Sequence, residues 1–456
     1  MNQATNKPKV VIIGGGFGGL QAAKELGGEA VDVTLIDRKN HHTFQPLLYQ
    51  VATAVLSPGE IASPIRRILH RYKNVEVILG EAVGFDLDKQ TVLMHGDETD
   101  SFTVPYDYLI VAAGARHSYF GHDEWEADAP GLKTIEDAVE IRRRVLLAFE
   151  HAEREAYLTG THEPLNFVVI GGGPTGVEMA GAIAGIARLA LEKDFKAIDT
   201  TKARVMLFEG SDRILGTFAE ELSTRAKKDL EDLGVEVFLK SFVTDVEENR
   251  VKVGENWIEC SAAVWATGVA ASPLGKMLGA ETDRAGRVLI NPDLTVPNRK
   301  NVFVIGDMAS LKLENGAPVP GVAPAAMQMA ETACSNILRD LKNQPFANFK
   351  YIDKGSMATI GRNRAIAEIG NWKLTGYIAW LAWLFVHIIS LIGFRNRLSV
   401  MTEWVWAYFT RERSARLIVG DADEIQEKPR LLENDSQFIA VDGQMKARAT
   451  AEAIKK

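Results

Sequence analysis

Short runs of β-branched apolar residues alternate with amphipathic stretches along most of the chain, which predicts alternating strands and helices. Two segments share one pattern, an apolar strand followed by clustered glycines and a helix-forming run: VVIIGGGFGGLQAA from Val10 and FVVIGGGPTGVEMAG from Phe167. Three more apolar runs, YLIVAAGA, AAVWATG and NVFVIGDMA, end in small residues, as strands do where a ligand approaches the backbone. The pattern therefore predicts an α/β protein with two similar ligand-binding units.

The first glycine turn consists of Gly14, Gly16 and Gly19. In such a turn the first glycine permits the tight bend, the second lets the backbone approach a pyrophosphate, and the third lets the helix pack on the strand. The helix that follows points its N-terminal N–H groups at the phosphates. The next strand, VDVTLID, ends at Asp37, eighteen residues after Gly19. A carboxylate there can accept hydrogen bonds from ribose hydroxyls, so the whole segment predicts a dinucleotide site.

The second glycine turn consists of Gly171, Gly173 and Gly176, and its acid is Glu209 at the end of RVMLFEG. The spacing of 33 residues from Gly176 is longer than usual, because a long helix, VEMAGAIAGIARLALE, and a polar segment intervene. A carboxylate at this position favours a free 2′-hydroxyl and repels a 2′-phosphate. NADH is therefore expected in preference to NADPH, although Arg213 lies close enough in sequence to weaken that preference.

Two such units in one chain are typical of flavoproteins that bind FAD in one domain and a nicotinamide dinucleotide in the next, which predicts two Rossmann-like domains. Gly114 is assigned to the FAD site and Gly268 to the NADH site, since each ends one of the apolar strands. Asp307 is expected to accept hydrogen bonds from the ribityl hydroxyls of FAD; the alternative is a simple turn aspartate. A T-x-x-D sequence at Thr134 resembles a capping box. The predicted organisation is an FAD domain split between residues 1–115 and 300–345, a connecting helix at 116–162, an NADH domain at 163–299, a C-terminal membrane-associating region at 346–420 and a flexible tail at 421–456.

Composition excludes several other classes of protein. The net charge of −8 argues against nucleic acid as a partner, and the short polar N-terminus shows no secretory signal. The only cysteines, Cys260 and Cys334, form no motif, so we expect no metal site and no redox disulfide. Both are predicted to be small buried apolar residues. Electrons from a reduced flavin must then pass directly to a diffusible acceptor.

An apolar segment near the C-terminus points to that acceptor. Residues 376–394 carry no formal charge, five of the eight tryptophans fall between Trp372 and Trp406, and several arginines follow. Tryptophan with arginine is typical of a membrane interface. A spanning helix and an internal core helix are the alternatives, but the pattern favours apolar helices lying in or against one leaflet. His387 is interpreted as a packed or interfacial histidine.

At this point the chain resembles the type II NADH dehydrogenases, single-subunit NADH:quinone oxidoreductases, over residues 8–420. The resemblance rests on NHHTFQPLLYQVAT from Asn40, APAAMQMA from Ala323 and GFRNRLSVMTEWVWAYFTRERSARLI from Gly393. It implies non-covalent FAD, NADH as substrate and a quinone acceptor. Pro324 replaces the first glutamine of the family's A-Q-x-A-x-Q motif, and proline suits the first turn of a helix. The resemblance assigns Glu178 to a place near flavin and nicotinamide and Gln328 to the quinone end; the alternative for Glu178 is a helix N-terminal acid stabilised by the dipole. Ala325 and Ala326 are expected to let the start of their helix approach the flavin closely.

The sequence thus predicts an enzyme that passes electrons from NADH through FAD to a membrane quinone without pumping protons. It is expected on the cytoplasmic face of the cell inner membrane, attached peripherally through its C-terminal helices. A homodimer is compatible with the sequence but not specified by it. Two other functions stay open: a soluble NADH-dependent reductase of a ferredoxin-like protein, and a non-catalytic NADH-binding flavoprotein that acts as an interaction module.

Overall fold

Two parallel β-sheets, each built around one of the glycine turns, form the centre of the protein. The structure is a computed structural model and describes residues 7–95, 102–314 and 316–420. Residues 1–416 form one compact body, and the remainder, residues 417–456, is separate from it; only 417–420 of that remainder are described. The predicted flexible tail, 421–456, lies outside the described residues.

The helices of the described residues range from single turns to seven turns. In chain order they are α1 Phe17–Glu25, α2 Leu48–Ala52, α3 Pro58–Ile61, α4 Ile65–Leu69, α5 Ile135–Thr159, α6 Pro174–Gly185, α7 Glu220–Asp232, α8 Leu274–Met277, α9 Ala323–Asp340, α10 Gly376–Ser390 and α11 Phe394–Thr410. Short 3₁₀ turns occupy Gln45–Leu47, Asp123–Glu126, Thr200–Lys202 and Gly306–Met308.

The strands are short, and most belong to the two parallel sheets or to small antiparallel ones. In chain order they are β1 Lys9–Ile13, β2 Asp32–Asp37, β3 His41–Thr43, β4 Ala62–Pro64, β5 Val75–Leu79, β6 Ala82–Asp86, β7 Thr91–Met94, β8 Phe102–Pro105, β9 Tyr108–Val111, β10 Ala115–His117, β11 Asn166–Ile170, β12 Arg204–Phe208, β13 Val235–Phe238, β14 Val243–Glu247, β15 Arg250–Val253, β16 Asn256–Glu259, β17 Ala262–Trp265, β18 Val269–Ala271, β19 Val288–Leu289, β20 Thr295–Val296, β21 Arg299–Val304, β22 Ala309–Ser310, β23 Ser356–Gly361, β24 Arg364–Ile369 and β25 Trp372–Thr375.

The first sheet has the strand order β20-β21-β9-β1-β2-β5 and is parallel except for the β20–β21 pair. Its central strands are apolar and buried at nearly every position, as expected for a parallel sheet covered on both faces. The chain runs from β1 to β2 and β5 on one side, and β9 and β21 lie on the other. A crevice therefore opens at the carboxyl ends of β1 and β9, where the strand order reverses.

The second sheet repeats this plan with the order β13-β12-β11-β17, all parallel. Here the strand order reverses between β11 and β17, and the second glycine turn lies at the carboxyl end of β11. The predicted α/β fold class with two Rossmann-like units is confirmed. The exact domain boundaries proposed from the sequence stay a prediction.

Local features of the helices agree with the sequence patterns in one case and differ in another. Thr134 caps α5 through a capping box with Asp137, as predicted. The long helix predicted after the second glycine turn is α-helical only to Gly185, and Ile186–Ala190 forms a π-helical turn. In that turn the Arg188 guanidinium donates to the carbonyls of Ala203 and Gly234, which attaches the turn to the neighbouring sheet.

Both cysteines are buried, which confirms their interpretation as small apolar residues. Burial raises the pKa of the Cys260 thiol to about 12. The pKa of the Cys334 thiol is raised further, again mainly by burial. Neither thiol is therefore ionised near neutral pH. No group of metal-ligating side chains occurs within the part of the chain that the structure describes.

The C-terminal region consists of the three-stranded sheet β23-β24-β25 followed by α10 and α11. The apolar run at 376–394 is divided between these two helices. The break coincides with Leu391, which turns inward to 1% exposure, and with Gly393, whose φ is +91°. None of the helices among the described residues has both the length and the apolar character needed to cross a membrane.

Candidate functional site

The first glycine turn has the close-packed geometry that its sequence predicts. Gly14 has a φ of +100°, and a β-carbon there would lie 2.5 Å from the carbonyl oxygen of Ala112. A β-carbon on Gly19 would overlap the carbonyl oxygen of Gly14. A β-carbon on Gly16 would have no protein atom within 4 Å. Packing within the chain therefore explains the first and third glycines but not the second.

The second glycine turn repeats this geometry position by position. Gly171 has a φ of +110°, and a β-carbon there would lie 2.8 Å from the carbonyl oxygen of Ala266. A β-carbon on Gly176 would overlap the carbonyl oxygen of Gly171, whereas one on Gly173 would have no protein atom within 4 Å. The same middle position is therefore open in both turns.

The two predicted acids are also held in the same way. One carboxylate oxygen of Asp37 accepts a hydrogen bond from the Gly15 N–H at 2.5 Å, and the other accepts one from the Lys39 N–H at 2.7 Å. The Glu209 carboxylate accepts from the N–H groups of Gly172 and Ser211 at 2.5 and 2.7 Å. These bonds orient each carboxylate beside its glycine turn. Each oxygen keeps a further lone pair that a ribose hydroxyl can use.

The first glycine turn, the Asp307 turn and the start of α9 lie together. A β-carbon on Gly306 would lie 3.3 Å from Cβ of Ala326, and one on Gly18 would lie 3.3 Å from the Ala326 carbonyl oxygen. Pro324 occupies the first turn of α9, as predicted, and Ala325 beside it is buried. Gly114 follows β9 by three residues and has a φ of +66°. The structure thus brings together the residues assigned to FAD.

Glu178 lies in α6, which packs against α2, and α2 carries Tyr49, a residue that the sequence pattern did not single out. Burial raises the pKa of the Glu178 carboxyl to about 8, although the Thr359 N–H donates to it at 3.4 Å. The pKa of Tyr49 is raised well above its usual value, first by burial and then by the charge of Glu178. Glu178 therefore lies near the segment NHHTFQPLLYQVAT, which contains Tyr49. That segment carried part of the family resemblance, and this was the only sequence feature that could have pointed to Tyr49.

Gln328 lies in α9, one turn after Pro324, and both ends of its side-chain amide form hydrogen bonds with the backbone. Its Nε2 donates to the Ile352 carbonyl at 3.0 Å, and its Oε1 accepts from the Ile352 N–H at 2.9 Å. Gln328 therefore fixes the position of the Ile352 backbone. No hydrogen bond among the described residues joins Gln328 to Glu178.

A hydrogen-bonded chain connects Tyr49 to the C-terminal helices. The Gln50 Nε2 donates to the Tyr49 hydroxyl at 2.7 Å, and the Trp404 Nε1 donates to Gln50 Oε1 at 2.7 Å. Beside it the His387 ring stacks on Trp383 with centroids 4.0 Å apart. Burial lowers the pKa of His387 to about 4, so this histidine is neutral and packed, consistent with the predicted interpretation.

Of the five arginines after α10, Arg395 and Arg411 are exposed, whereas the other three bond to the protein's own backbone. Arg413 is half-buried and donates to the carbonyls of Thr53 and Ala182 at 2.5 and 3.1 Å. Arg416 donates to the Ala190 carbonyl and pairs with Asp194. Arg397 donates to the carbonyls at 389 and 391. These three guanidinium groups therefore satisfy backbone carbonyls at helix and loop ends, a role that the sequence pattern did not predict.

Helices α10 and α11 expose many large apolar side chains to solvent. The surface that they form is defined by side chains between 41% and 81% exposed that recur every three or four positions: Tyr377, Ile378, Leu381, Phe385, Val386, Ile389, Phe394, Leu398, Met401, Val405, Trp406 and Phe409. The opposite sides of the helices are buried through Ala379, Trp383 and Val400. This surface, called the apolar face below, is typical of a site that contacts another apolar phase.

A cavity of about 360 Å³ opens beside the second glycine turn. Ile214 belongs both to its wall and to the turn, because its side chain lies 2.8 Å from where a β-carbon on Gly172 would be. Arg213 and Lys227 also line the cavity. The Arg213 guanidinium donates to the Gly216 carbonyl at 2.9 Å. Asp212 and Glu220 line the cavity as well, so two cationic and two acidic groups lie near Glu209 on this side of the glycine turn.

Comparison with known proteins agrees with this geometry. Residues 8–330 match the family of pyridine nucleotide-disulphide oxidoreductases, and residues 354–412 match the NDH2 C-terminal domain. The chain is 45% identical to the type II NADH:quinone oxidoreductase NdhA of Mycobacterium tuberculosis, covering 98% of this chain and 96% of that protein. It is 46% identical to Ndh of the same organism, which bears the same description, with 90% of each covered.

Solved structures show the same fold. The NDH2 of Plasmodium falciparum in complex with NADH superimposes with a TM-score of 0.80 at 21% identity, covering 91% of this chain and 100% of that one. The sulfide:quinone oxidoreductase of Aquifex aeolicus gives 0.68 at 20% identity, covering 91% and 96%. Taken with the sequence matches over nearly the whole length, these findings show that the chain belongs to the type II NADH:quinone oxidoreductases, within the pyridine nucleotide-disulphide oxidoreductase family.

Proposed function

We propose that this enzyme transfers electrons from NADH through non-covalently bound FAD to a quinone, while it is attached peripherally to a membrane. The observation that supports this most is the presence of two glycine turns of the same geometry, each open at its middle glycine and each with a backbone-held acid. Two dinucleotides can therefore be held in one chain, which a hydride transfer between them requires.

FAD is proposed for the first unit. The open position at Gly16 is the place where a pyrophosphate can approach, and the oriented Asp37 carboxylate is the place for the adenosine ribose. Asp307 and the start of α9 then line the remainder of the crevice. FAD supplies the two-electron chemistry when it is bound. The chain supplies the cradle of Gly14, Gly16 and Gly19, the carboxylates of Asp37 and Asp307, close backbone approach at Gly114, Ala325 and Ala326, and the positive N-terminal end of α9.

NADH is proposed for the second unit. Gly171, Gly173 and Gly176 form the turn, Glu209 receives the adenosine ribose, and Gly268 lies where the strand order reverses. The Glu209 carboxylate repels a 2′-phosphate, so NADPH should be the poorer substrate. Arg213 and Lys227 in the adjacent cavity limit this discrimination without abolishing it.

Glu178 and Gln328 are proposed to act where the two units meet. With a pKa of about 8, the Glu178 carboxyl holds a proton at neutral pH beside Tyr49. Quinone reduction consumes two protons with two electrons, and we propose that Glu178 holds one of them. Gln328 fixes the backbone at 352 through both ends of its amide. We therefore assign Gln328 an indirect role at the quinone end, in which it shapes the site through Ile352.

The membrane is proposed as the partner of the apolar face. Its twelve large side chains are each about half exposed or more. Full burial of such a side chain is worth about 1.5–3 kcal/mol, so covering this face yields on the order of 10 kcal/mol. A leaflet of the inner membrane, approached from the cytoplasm, would cover it and give access to a quinone dissolved there. A homodimer is the other proposed association, with the second copy as an alternative cover.

Purification from membranes tests the proposal. The protein should be yellow, release one FAD on denaturation, and oxidise NADH with a quinone analogue as acceptor. In sealed proteoliposomes we expect turnover without acidification of the lumen, as read by an entrapped pH-sensitive dye. Extraction of FMN, absence of flavin, or turnover only with a ferredoxin-like protein would contradict the assignment.

A further inference from the structure

Two phenylalanines lie at opposite ends of the crevice on the second sheet. Phe242 is 68% exposed and Phe120 is 67% exposed. Each ring rests against a glycine that follows a strand of this sheet: Gly210 after β12 and Gly268 after β17. An isolated exposed ring needs no explanation, but two rings at matching positions beside one crevice do.

The loop that carries Phe242 is fixed to the acid of the second unit. The Lys240 N–H donates to the Ser211 carbonyl and the Ser241 N–H donates to the Glu209 carbonyl, both at 2.9 Å. A β-carbon on Gly210 would lie 2.8 Å from both Cδ1 and Cζ of Phe242. Because Gly210 has no side chain, the Phe242 ring packs directly on the backbone next to Glu209.

Phe120 is held in a strained conformation. Its φ is +57°, a region that bulky side chains rarely adopt. A β-carbon on Gly268 would lie 2.8 Å from Cζ of this ring. The ring meets Trp265 edge to face with centroids 6.2 Å apart, and the Trp265 Nε1 donates to the Ser118 carbonyl at 3.0 Å. Strain that neighbouring groups maintain in this way is typical of a binding site.

The strand order tells which end of a dinucleotide each ring meets. A dinucleotide lies across the crevice where the order reverses, here between β11 and β17, with its adenosine half on the side of the acid. Phe242 lies on that side, next to Glu209. Phe120 lies beyond the reversal, on the side of the nicotinamide half.

We propose that Phe242 stacks on the adenine of NADH and that Phe120 packs on its nicotinamide half, so that the two rings bind opposite ends of one substrate. This rests on the proposed NADH site in the second unit. Flat aromatic faces bind bases by stacking and need no hydrogen bond to do so. The rings thus add affinity at both ends, while the glycine turn holds the centre.

Fragments of the dinucleotide separate the two contacts. Binding of NAD⁺ and of ADP-ribose, which lacks nicotinamide, is measured by isothermal titration calorimetry on the full-length, flavin-loaded protein. Phe242→Ala should weaken both probes to a similar degree, roughly 5- to 100-fold, the range for loss of one base–aromatic stack. Phe120→Ala should weaken NAD⁺ but leave ADP-ribose within about twofold of the wild type.

Further variants distinguish stacking from loss of bulk. Phe242→Leu keeps an apolar side chain without a ring and should resemble Phe242→Ala, whereas Phe242→Tyr should bind like the wild type. Tyr157→Ala, which removes an 82% exposed ring from α5, is the matched control and should change neither affinity. If the wild type and both alanine variants bind NAD⁺ and ADP-ribose with the same affinities, the proposed contacts of the two rings are refuted, while the proposed NADH site stands. A wild type that binds neither probe would instead contradict the proposed NADH site and, with it, this inference.

Discussion

Removing the most exposed rings of the apolar face should release the enzyme from membranes. Phe385, Phe394 and Phe409 are 67%, 81% and 79% exposed, so serine at all three positions should leave the fold intact. At about 1.5–3 kcal/mol for each fully covered side chain, three rings this exposed are worth roughly 5 kcal/mol, about half of the value for the whole face. Even half of that, about 2.5 kcal/mol, lowers the partition coefficient by more than roughly 50-fold.

Sedimentation with liposomes measures this partition directly. The triple variant should stay in the supernatant, retain FAD and oxidise NADH with ferricyanide, but lose most of its activity with a long-tailed quinone that resides in the bilayer. A matched control replaces Leu79, Tyr157 and Leu158, which are also at least 60% exposed but lie outside the apolar face. The control should sediment like the wild type.

Salt adds a second test of the same reasoning. Since Arg397, Arg413 and Arg416 bond to the protein's own carbonyls, two of the five arginines after α10, Arg395 and Arg411, remain to attract anionic lipid. They contribute only about 1 kcal/mol each, less than the apolar face. Binding should therefore persist at 1 M salt, where the screening length is only about 3 Å, and yield to detergent. If the triple variant sediments like the wild type, or if the control is released equally, the apolar face does not bind the membrane.

Three further substitutions test the site residues. Because the folded-state pKa of Glu178 is raised to about 8, wild-type stability should fall as pH rises from about 4.5 to 8, and Glu178→Gln should flatten that slope in urea unfolding; an unchanged slope would show that the carboxyl is not buried. Glu209→Gln should narrow the preference for NADH over NADPH by roughly tenfold, since one like-charge contact is worth about 1–4 kcal/mol; equal use of both substrates by the wild type would refute its role. Gln328→Leu removes both bonds to Ile352 and should slow quinone reduction in stopped-flow measurements while flavin reduction is unaffected; slowed flavin reduction would place Gln328 on the nicotinamide side.

Features encoded by local sequence were predictable. β1 contains the apolar run Val10–Ile13 and only one residue before it, and the Thr134 capping box needs only residues three apart. The tight packing at the first and third glycines of each turn also follows from a local motif. These features depend on neighbours in sequence, so periodicity and spacing reveal them.

Features that depend on residues distant in sequence were not predictable. The hydrogen bonding of Arg413 requires the carbonyls of Thr53 and Ala182 to meet it, although they lie more than 200 residues away in the sequence. The adjacency of Glu178 and Tyr49 and the bracing of Ile352 by Gln328 arise in the same way. The inward turn of Leu391, which divides the apolar run, likewise depends on the core that it enters.

The stoichiometry of the reaction tests the central claim most directly. Purified, flavin-loaded protein in sealed liposomes is given NADH and a long-tailed quinone without oxygen, and NADH consumed and quinol formed are measured together. The proposed function predicts one quinol per NADH with no protein acceptor added. Consumption of NADH without quinol, or quinol formation only when a ferredoxin-like protein is present, would contradict it.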